Sequence, residues 1–201
     1  MKKGFTLIEI LVVIGIIAIL MGTGIGTYAG VTRAAEKKRC QELVANTATA
    51  LTALFQTNGS WPEALLRDGS KDGELNETVA YPLAKGGYMS LTAEDGKLAG
   101  YDRFGIVSPW ASAYIKRRGA SASLGDKVGF GTIKDHILHY ALDLDGDGII
   151  EGASVGGESV DIRATVAVWC CGQDGKIEPY SSGLHKDDVY SWTYGQTQGA
   201  R

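Results

Sequence analysis

Histidine and cysteine are scarce in this chain of 201 residues, which has only three of each. Two of the histidines, His136 and His139, are three positions apart and would face opposite sides of a strand. The sequence therefore offers no evident tetrahedral set of nitrogen and sulfur ligands for zinc. We do not expect a zinc centre.

An excess of positive charge is also lacking, because the formal net charge is −3. Nucleic-acid-binding surfaces are usually strongly basic, so we expect no nucleic-acid partner. Catalysis needs a nucleophile, a base and an orienting group, or a metal with an open position, and no such set stands at a recognisable spacing. We expect no enzyme and no organic cofactor.

A long hydrophobic run lies at the start of the chain. It follows two lysines, occupies residues 5–29 and has one acid near its beginning, Glu9. A carboxylate at membrane depth costs roughly 2.5–3.5 kcal/mol, so Glu9 needs a partner charge. Cleavage between Gly4 and Phe5 would supply one, because the new α-amine would lie four residues before Glu9 on the same helical face. The alternative is a signal-anchor helix with an isolated acid.

The sequence Lys-Gly-Phe-Thr-Leu-Ile-Glu at residues 3–9 resembles the prepilin signal of type IV pilins and type II secretion pseudopilins. The resemblance implies that a prepilin peptidase cuts after Gly4 and that Phe5 is then methylated. It also implies that Glu9 pairs with the N-terminal amine of a neighbouring subunit when a filament assembles.

The charges next to the hydrophobic run predict how the chain crosses a membrane. Lys2 and Lys3 favour a cytoplasmic N-terminus, which places everything after about residue 30 on the outer side. We predict a leader at residues 1–4, a transmembrane and assembly segment at 5–30, and an exported globular domain at 31–201. The location implied is the bacterial inner membrane, with the globular domain periplasmic and later in the filament.

Helical periodicity continues beyond the hydrophobic run. Apolar residues recur every three or four positions from Cys40 to Phe55, which is typical of an amphipathic helix packed on a core. The Asn58-Gly59 pair is a common helix end. The sequence therefore predicts one helix from Phe5 to about Thr57.

The rest of the chain predicts a small antiparallel sheet. Residues 59–103 read as a long irregular loop with short helices. Alternating or β-branched segments at residues 112–116, 137–142 and 162–170 predict strands packed against the helix. The fold class is α+β, and the order of helix, loop and sheet also resembles the pilin fold.

Two C-terminal segments resemble the major pseudopilin of type II secretion systems. They are Trp-Cys-Cys-Gly-Gln-Asp-Gly-Lys at residues 169–176 and Asp-Asp-Val-Tyr-Ser-Trp at residues 187–192. In that branch, one acid from each segment binds calcium, and the corresponding positions here are Asp174 and Asp188. Asp187 is a further acid nearby, and carbonyl groups of the intervening loop would complete the site.

A second acidic segment, residues 143–151, repeats the first half of a calcium loop. Its alternating carboxylates are Asp143, Asp145 and Asp147. Gly148 follows them, as in a calcium loop, but Ser154 stands at the twelfth position, where a bidentate glutamate is required. An ion here would have to use Glu151, Glu158 or backbone oxygens. The alternative is a polar hairpin turn, since Asp-Gly pairs make tight turns without an ion.

The three cysteines are Cys40, Cys170 and Cys171. The outer side of a bacterial membrane permits disulfides, but three cysteines cannot all pair within one chain. Cys170 and Cys171 would point to opposite faces of a strand, so one of them would meet Cys40 while the other stays free. The alternative is three reduced, buried thiols.

Taken with the resemblance, these features predict a structural subunit of a type II secretion pseudopilus that polymerises through its N-terminal helix to support protein export. The alternatives are a subunit of a type IV pilus or a competence-type pilus, and a membrane-anchored periplasmic binding protein. The implied partners are further copies of the chain, other pseudopilins, the prepilin peptidase and an inner-membrane assembly platform. Calcium is the only cofactor expected.

Overall fold

The computed structural model describes residues 6–66, 72–182, 187–192 and 197–198, with the backbone alone at residues 20–29, 182 and 197–198. The chain forms two compact units, Met1–Glu36 and Lys37–Arg201. Helix α1, Leu7–Asn58, contributes to both units. Its extent confirms the predicted N-terminal helix, and its end coincides with the predicted stop, because the Gly59 amide donates to the Phe55 carbonyl at 2.8 Å.

Among the helices that the structure describes, none combines the length and the apolar character needed to cross a bilayer. The predicted membrane span at residues 5–30 is therefore not confirmed by the structure.

The second unit adds two α-helices and a set of short strands. The helices are α2, Glu77–Lys85, and α3, Pro109–Arg118. The described strands are β1 Asp72–Glu74, β2 Ala93–Glu94, β3 Lys97–Leu98, β4 Lys127–Val128, β5 Gly131–Thr132, β6 His139–Leu142, β7 Ile150–Val155, β8 Glu158–Ile162, β9 Val166–Cys170, β10 Val189–Tyr190 and β11 Thr197–Gln198.

The strands form two main antiparallel sheets and two small hairpins. The larger sheet has the order β1-β6-β9-β10, and a three-stranded sheet has the order β11-β8-β7. The hairpins are β2-β3 and β4-β5. A long helix followed by a small antiparallel sheet confirms the predicted α+β class.

Strand β9 is buried on both faces because it lies between two cores. Val168 and Cys170 belong to one core with Leu51 and Leu54 of α1. The alternate residue Trp169 belongs to a second core, which includes apolar residues of β7 and β8. Side chains on a strand alternate between faces, so β9 joins the helix layer to the second sheet.

One predicted strand, at residues 112–116, is wrong, because these residues lie in α3. Pro109 at the first helical turn and Gly119 after the last residue are helix start and stop signals. Ala111 and Ile115 are both fully buried, and their four-residue spacing puts them on one face of a helix. The short alternation that indicated a strand is overridden by these signals.

Strands β7 and β8 are absent from the predicted strands, although the sequence carries a turn signal between them. Gly156 and Gly157 join the two strands and have φ values of +60° and +84°. A hairpin turn with positive φ at both central residues is of type I′, for which glycine pairs are preferred.

Gly156 and Gly157 provide a matched test of packing at this turn. A Cβ atom added at Gly156 would overlap the Glu178 carbonyl, whereas one added at Gly157 would meet open space. Both substitutions to alanine strain a left-handed backbone, at roughly 1–2 kcal/mol each. We expect Gly156→Ala to lower the free energy of unfolding by clearly more than Gly157→Ala, in thermal denaturation of the full-length protein in detergent. Equal losses would show that the turn does not pack on the Glu178 loop as described.

Candidate functional site

At the start of helix α1, the Glu9 side chain folds back onto Thr6, as in one half of a capping box. One Glu9 carboxylate oxygen accepts hydrogen bonds from the Thr6 amide and the Thr6 hydroxyl, both at 2.8 Å. The Thr6 carbonyl in turn accepts from the Glu9 amide at 3.1 Å. A glutamate at the third helical position commonly satisfies amides at a helix start. Glu9 therefore has hydrogen-bond donors within its own chain, which the sequence analysis did not anticipate.

The first turns of α1 expose apolar side chains. From Leu7 to Ile19, the large apolar residues are 44–83% exposed. Soluble monomers rarely expose a continuous apolar surface of this kind, and such surfaces mark interaction sites. The predicted cleavage and methylation positions, Gly4 and Phe5, lie outside the described residues.

Three carboxylates meet at the C-terminal end of the second unit. Asp174, Glu178 and Asp187 each place an oxygen within 4.8 Å of the others. Asp174 follows β9, and Asp187 directly precedes the short segment into β10. The Asp187 side chain packs closely against Gly172, where a Cβ atom would overlap it. Carboxylate oxygens in a cluster of this kind are ligands that calcium prefers.

Asp188 lies beside this cluster but is used differently from the sequence prediction. It is buried, and its carboxylate accepts from the Gly172 amide at 3.0 Å, the Glu178 amide at 3.1 Å and the Tyr190 hydroxyl at 3.1 Å. These bonds tie the loop after β9 to β10. Asp188 therefore positions the loop, and Glu178 takes its place in the three-carboxylate group. No spacing in the sequence marked Glu178, because residues 174–178 are not helical and a separation of four does not by itself bring their side chains together.

The cluster is electrostatically unfavourable without a cation. Burial, together with the charges of Asp188 and Asp174, raises the pKa of Glu178 to about 7. Burial also raises the pKa of Asp188. One Glu178 oxygen, Oε2, is buried and has no hydrogen-bond partner in the described part of the chain. A divalent cation fits this donor set, because it would satisfy that oxygen and neutralise the like charges.

The loop between β6 and β7 contains the second acidic group. Oxygens of Asp143, Asp145 and Asp147 also lie within 4.8 Å of one another. Asp143 is buried, and its two oxygens accept from the Gly146 and Gly148 amides, each at 2.8 Å. These hydrogen bonds support the turn alternative. Glu151 is exposed on β7 and is outside this group.

The cysteines lie at the junction of helix and sheet. Cys40 of α1 and Cys170 of β9 form a disulfide across 130 positions of sequence, and Cys171 is a buried free thiol. The sequence left two alternatives open, a disulfide from Cys40 to Cys170 or Cys171 and three reduced thiols, and the structure has the disulfide. The disulfide fixes the second half of α1 to the central strand.

Cys171 belongs to a buried polar group with His136 and Ser108. The ring nitrogen Nδ1 of His136 lies 3.0 Å from Ser108 Oγ and 3.2 Å from Cys171 Sγ, and Nε2 lies 3.3 Å from the Val128 carbonyl. The carbonyl can only accept, so Nε2 carries the proton and Nδ1 is an acceptor. Burial lowers the pKa of His136 and raises the pKa of the Cys171 thiol. A nucleophilic thiol has a lowered pKa, whereas the pKa of Cys171 is raised, so Cys171 is a structural residue of the core.

Residues 1–25 match the prokaryotic N-terminal methylation motif. The chain carries this motif. The match includes Gly4, Phe5 and Glu9, whose arrangement led to the predicted prepilin signal. It covers the exposed apolar start of α1 and does not extend into the second unit.

Three curated relatives, each named type IV major pilin protein PilE1 of Neisseria gonorrhoeae, are 35% identical to this chain over 63 residues. The matched segment is 31% of this chain and 38%, 35% and 29% of the three relatives. The chain therefore spans about a third of the length of these relatives. No solved structure matches the chain significantly. These similarities support a pilin-like subunit and do not distinguish a pseudopilin from a pilin.

The raised pKa of Glu178 predicts how stability depends on pH when divalent cations are removed. Between its ordinary pKa of 4.5 and about 7, Glu178 holds a proton in the folded state that the unfolded chain has released. Stability is therefore lost as the pH rises through this window. We expect the melting temperature in chelator to fall between about pH 5 and pH 8, and Glu178→Gln to flatten this slope. A slope unchanged in Glu178→Gln would contradict the assignment, and Glu151→Gln, at an exposed acid, is the control.

Proposed function

We propose that this chain is a filament-forming subunit of the type IV pilin-like class. The observation that carries the proposal is the methylation motif placed directly on a helix whose apolar residues are exposed. The pilin-like order of long helix and antiparallel sheet supports it. In this proposal, a prepilin peptidase removes residues 1–4, and the apolar helix holds the subunit in the inner membrane until assembly.

Assembly transfers the apolar helix from lipid into a bundle of identical helices. Little hydrophobic free energy is gained in this transfer, because both surroundings are apolar. Register must then come from close packing and from polar contacts. Glu9 supplies such a contact when its carboxylate reaches the methylated amine of a neighbouring copy, and the Thr6 hydrogen bonds hold the carboxylate at the helix start before assembly.

Two kinds of filament fit this subunit. The C-terminal carboxylate cluster and the segments at residues 169–176 and 187–192 favour a type II secretion pseudopilus, in which the filament supports protein export. The 35% identity to gonococcal major pilins favours a type IV pilus. We place the pseudopilus first and keep the pilus as the second candidate. In both cases the partners are further copies of the chain, related minor subunits and a membrane assembly platform.

The C-terminal cluster is proposed as a calcium site. Asp174, Glu178 and Asp187 would hold the ion, and Asp188 would hold the loop in place for them. A bound calcium would neutralise the carboxylates and stabilise the exported domain. We propose a turn without a cation for the loop at residues 143–149, in which each oxygen of Asp143 accepts one turn amide.

Variants of Glu9 distinguish its hydrogen bonds to Thr6 at the helix start from its proposed charge pair with the amine of a neighbouring copy. Glutamine preserves the acceptor of a capping box but removes the charge. We expect both Glu9→Gln and Glu9→Ala to abolish filaments while the subunit still accumulates in the membrane, because the neighbour's amine requires a carboxylate. Electron microscopy counts surface filaments, and assays of exported proteins report on a pseudopilus; the affected readout identifies which filament the chain builds.

Glu42→Gln, at an exposed position of the same helix, is the control and should assemble normally. Mass spectrometry of the mature protein should find methylated Phe5 at the N-terminus of every variant. Normal filaments with Glu9→Gln would refute the charge-pair mechanism, and a mature protein that retains residues 1–4 would refute the proposed class.

Calcium should stabilise the full-length protein in detergent. At a calcium concentration of roughly 100 times the dissociation constant, the gain is about 2.7 kcal/mol. We expect Asp174→Asn with Glu178→Gln to remove the calcium-dependent rise in melting temperature. The pair Asp145→Asn with Asp147→Asn should keep it. The opposite pattern would move the site to the other loop, and a melting temperature indifferent to calcium would exclude both.

A further inference from the structure

The hairpin of β4 and β5 exposes an aromatic residue at its tip. Phe130, in the turn between the strands, is 88% exposed, more than any other large apolar side chain that the structure describes. Leu124, 42% exposed, lies beside the hairpin, since its carbonyl accepts from the Lys134 amide at 3.1 Å. Lys127 and Lys134 are exposed next to them. We call Leu124, Lys127, Phe130 and Lys134 the basic tip.

The hairpin that bears the basic tip is held firmly by the rest of the second unit. A Cβ atom added at Gly131 would lie 3.0 Å from the Gly175 Cα atom, and one added at Gly129 would lie 3.0 Å from the Gln173 carbonyl. The backbones therefore touch. Thr132 is further fixed by two hydrogen bonds to the Asp135 carboxylate, each at 2.7 Å. Phe130 is thus presented outward on a rigid support.

Acids near the basic tip are already engaged. Asp126 accepts from the Ser123 hydroxyl at 2.8 Å and lies 3.9 Å from the Arg118 guanidinium. Asp135 accepts from Thr132 and keeps its negative charge beside Lys134, while the charge of Asp126 is balanced by Arg118. Within the described ranges, neither Lys127 nor Lys134 forms an ion pair. Two lysines beside an exposed aromatic ring make a surface that fits an acidic and partly apolar partner.

A surface of the complementary kind, acidic and partly apolar, is present elsewhere on the same chain. The loop between β6 and β7 exposes Leu144, which is 48% exposed, with Asp145 and Asp147. We call these three residues the acidic tip. It is also firmly held, because Asp143 accepts from two glycine amides of the loop and Asp147 accepts from the Ile149 amide at 2.7 Å.

We propose that the basic tip of one copy docks on the acidic tip of a neighbouring copy, with Phe130 against Leu144 and the lysines facing Asp145 and Asp147. The two tips are complementary in charge, and each pairs charge with an apolar side chain. They are different surfaces, so along a filament the contact is head-to-tail, with the basic tip of each copy against one neighbour and its acidic tip against the next. This inference rests on the proposed filament and adds to it a contact between exported domains that sets their register.

The test is a cysteine pair in the full-length chain, Phe130→Cys with Leu144→Cys, expressed in its own host in place of the natural gene. A short bis-maleimide reagent is applied to isolated filaments. The expected result is a ladder of dimers, trimers and longer species, because each copy is joined to the next. Each single variant, and Tyr101→Cys with Leu144→Cys, in which the first cysteine replaces a different exposed aromatic residue, should give no ladder. The docking would be overturned if filaments of the Phe130→Cys, Leu144→Cys variant gave no more cross-linked species than these controls.

Charge reversal provides a second test that does not depend on the cysteine pair. Lys127→Glu with Lys134→Glu should lose most filaments, and adding Asp145→Lys, which leaves the Asp147 hydrogen bond of the loop intact, should restore part of them. Lys97→Glu with Lys85→Glu should have no effect. Failure of the combined variant to recover, or binding of the basic tip to phosphatidylglycerol vesicles without any ladder, would overturn the proposal. Absence of filaments from the unmodified chain would instead count against the proposed function.

Discussion

The structure of the second unit depends on the burial of one stripe of helix α1 against strand β9. Leu51 and Leu54 from the helix and Val168 and Cys170 from the strand share one core, and the Cys40–Cys170 disulfide joins the same surfaces. Because β9 also packs Trp169 into the second core, the helix, the larger sheet and the three-stranded sheet are stacked through a single strand. The loop after β9 begins at this fixed point, so the carboxylates that follow it are placed by the same packing.

That loop concentrates negative charge where packing permits little movement. Asp188 is buried and fully used in holding Gly172, Glu178 and Tyr190, while Glu178 keeps one oxygen without a partner among the described residues. The fold thus maintains an arrangement of like charges that only a proton or a cation relieves. The β7–β8 turn and the β4–β5 hairpin both contact this loop, through Gly156 and Gly131.

Much of the fold followed from periodicity. The three-to-four-residue spacing between Cys40 and Phe55 predicted the helix, and the predicted strand at residues 137–142 contains β6. The predicted strand at 162–170 contains β9 but is too long, because Ile162 ends β8 and residues 163–165 form a bend. Residues 112–116 show where such reasoning fails, because a five-residue alternation carries less information than Pro109 and Gly119 at the ends of α3. Periodicity did not predict β7 and β8, although they are no shorter than β6 and β9. They are defined by the Gly156-Gly157 turn and by pairing with each other.

The sequence by itself identified the N-terminal methylation motif, because this motif is local and Gly4, Phe5 and Glu9 stand within six positions of the chain. It also determined which residues had the chemistry to bind a cation. Only the tertiary structure decided which of them meet. Glu178, and not Asp188, lies in the group with Asp174 and Asp187, because the direction of a side chain at the end of a strand depends on register and on packing between distant segments. The pairing of Cys40 with Cys170 was decided in the same way, since the face of β9 that meets α1 is set by the whole core.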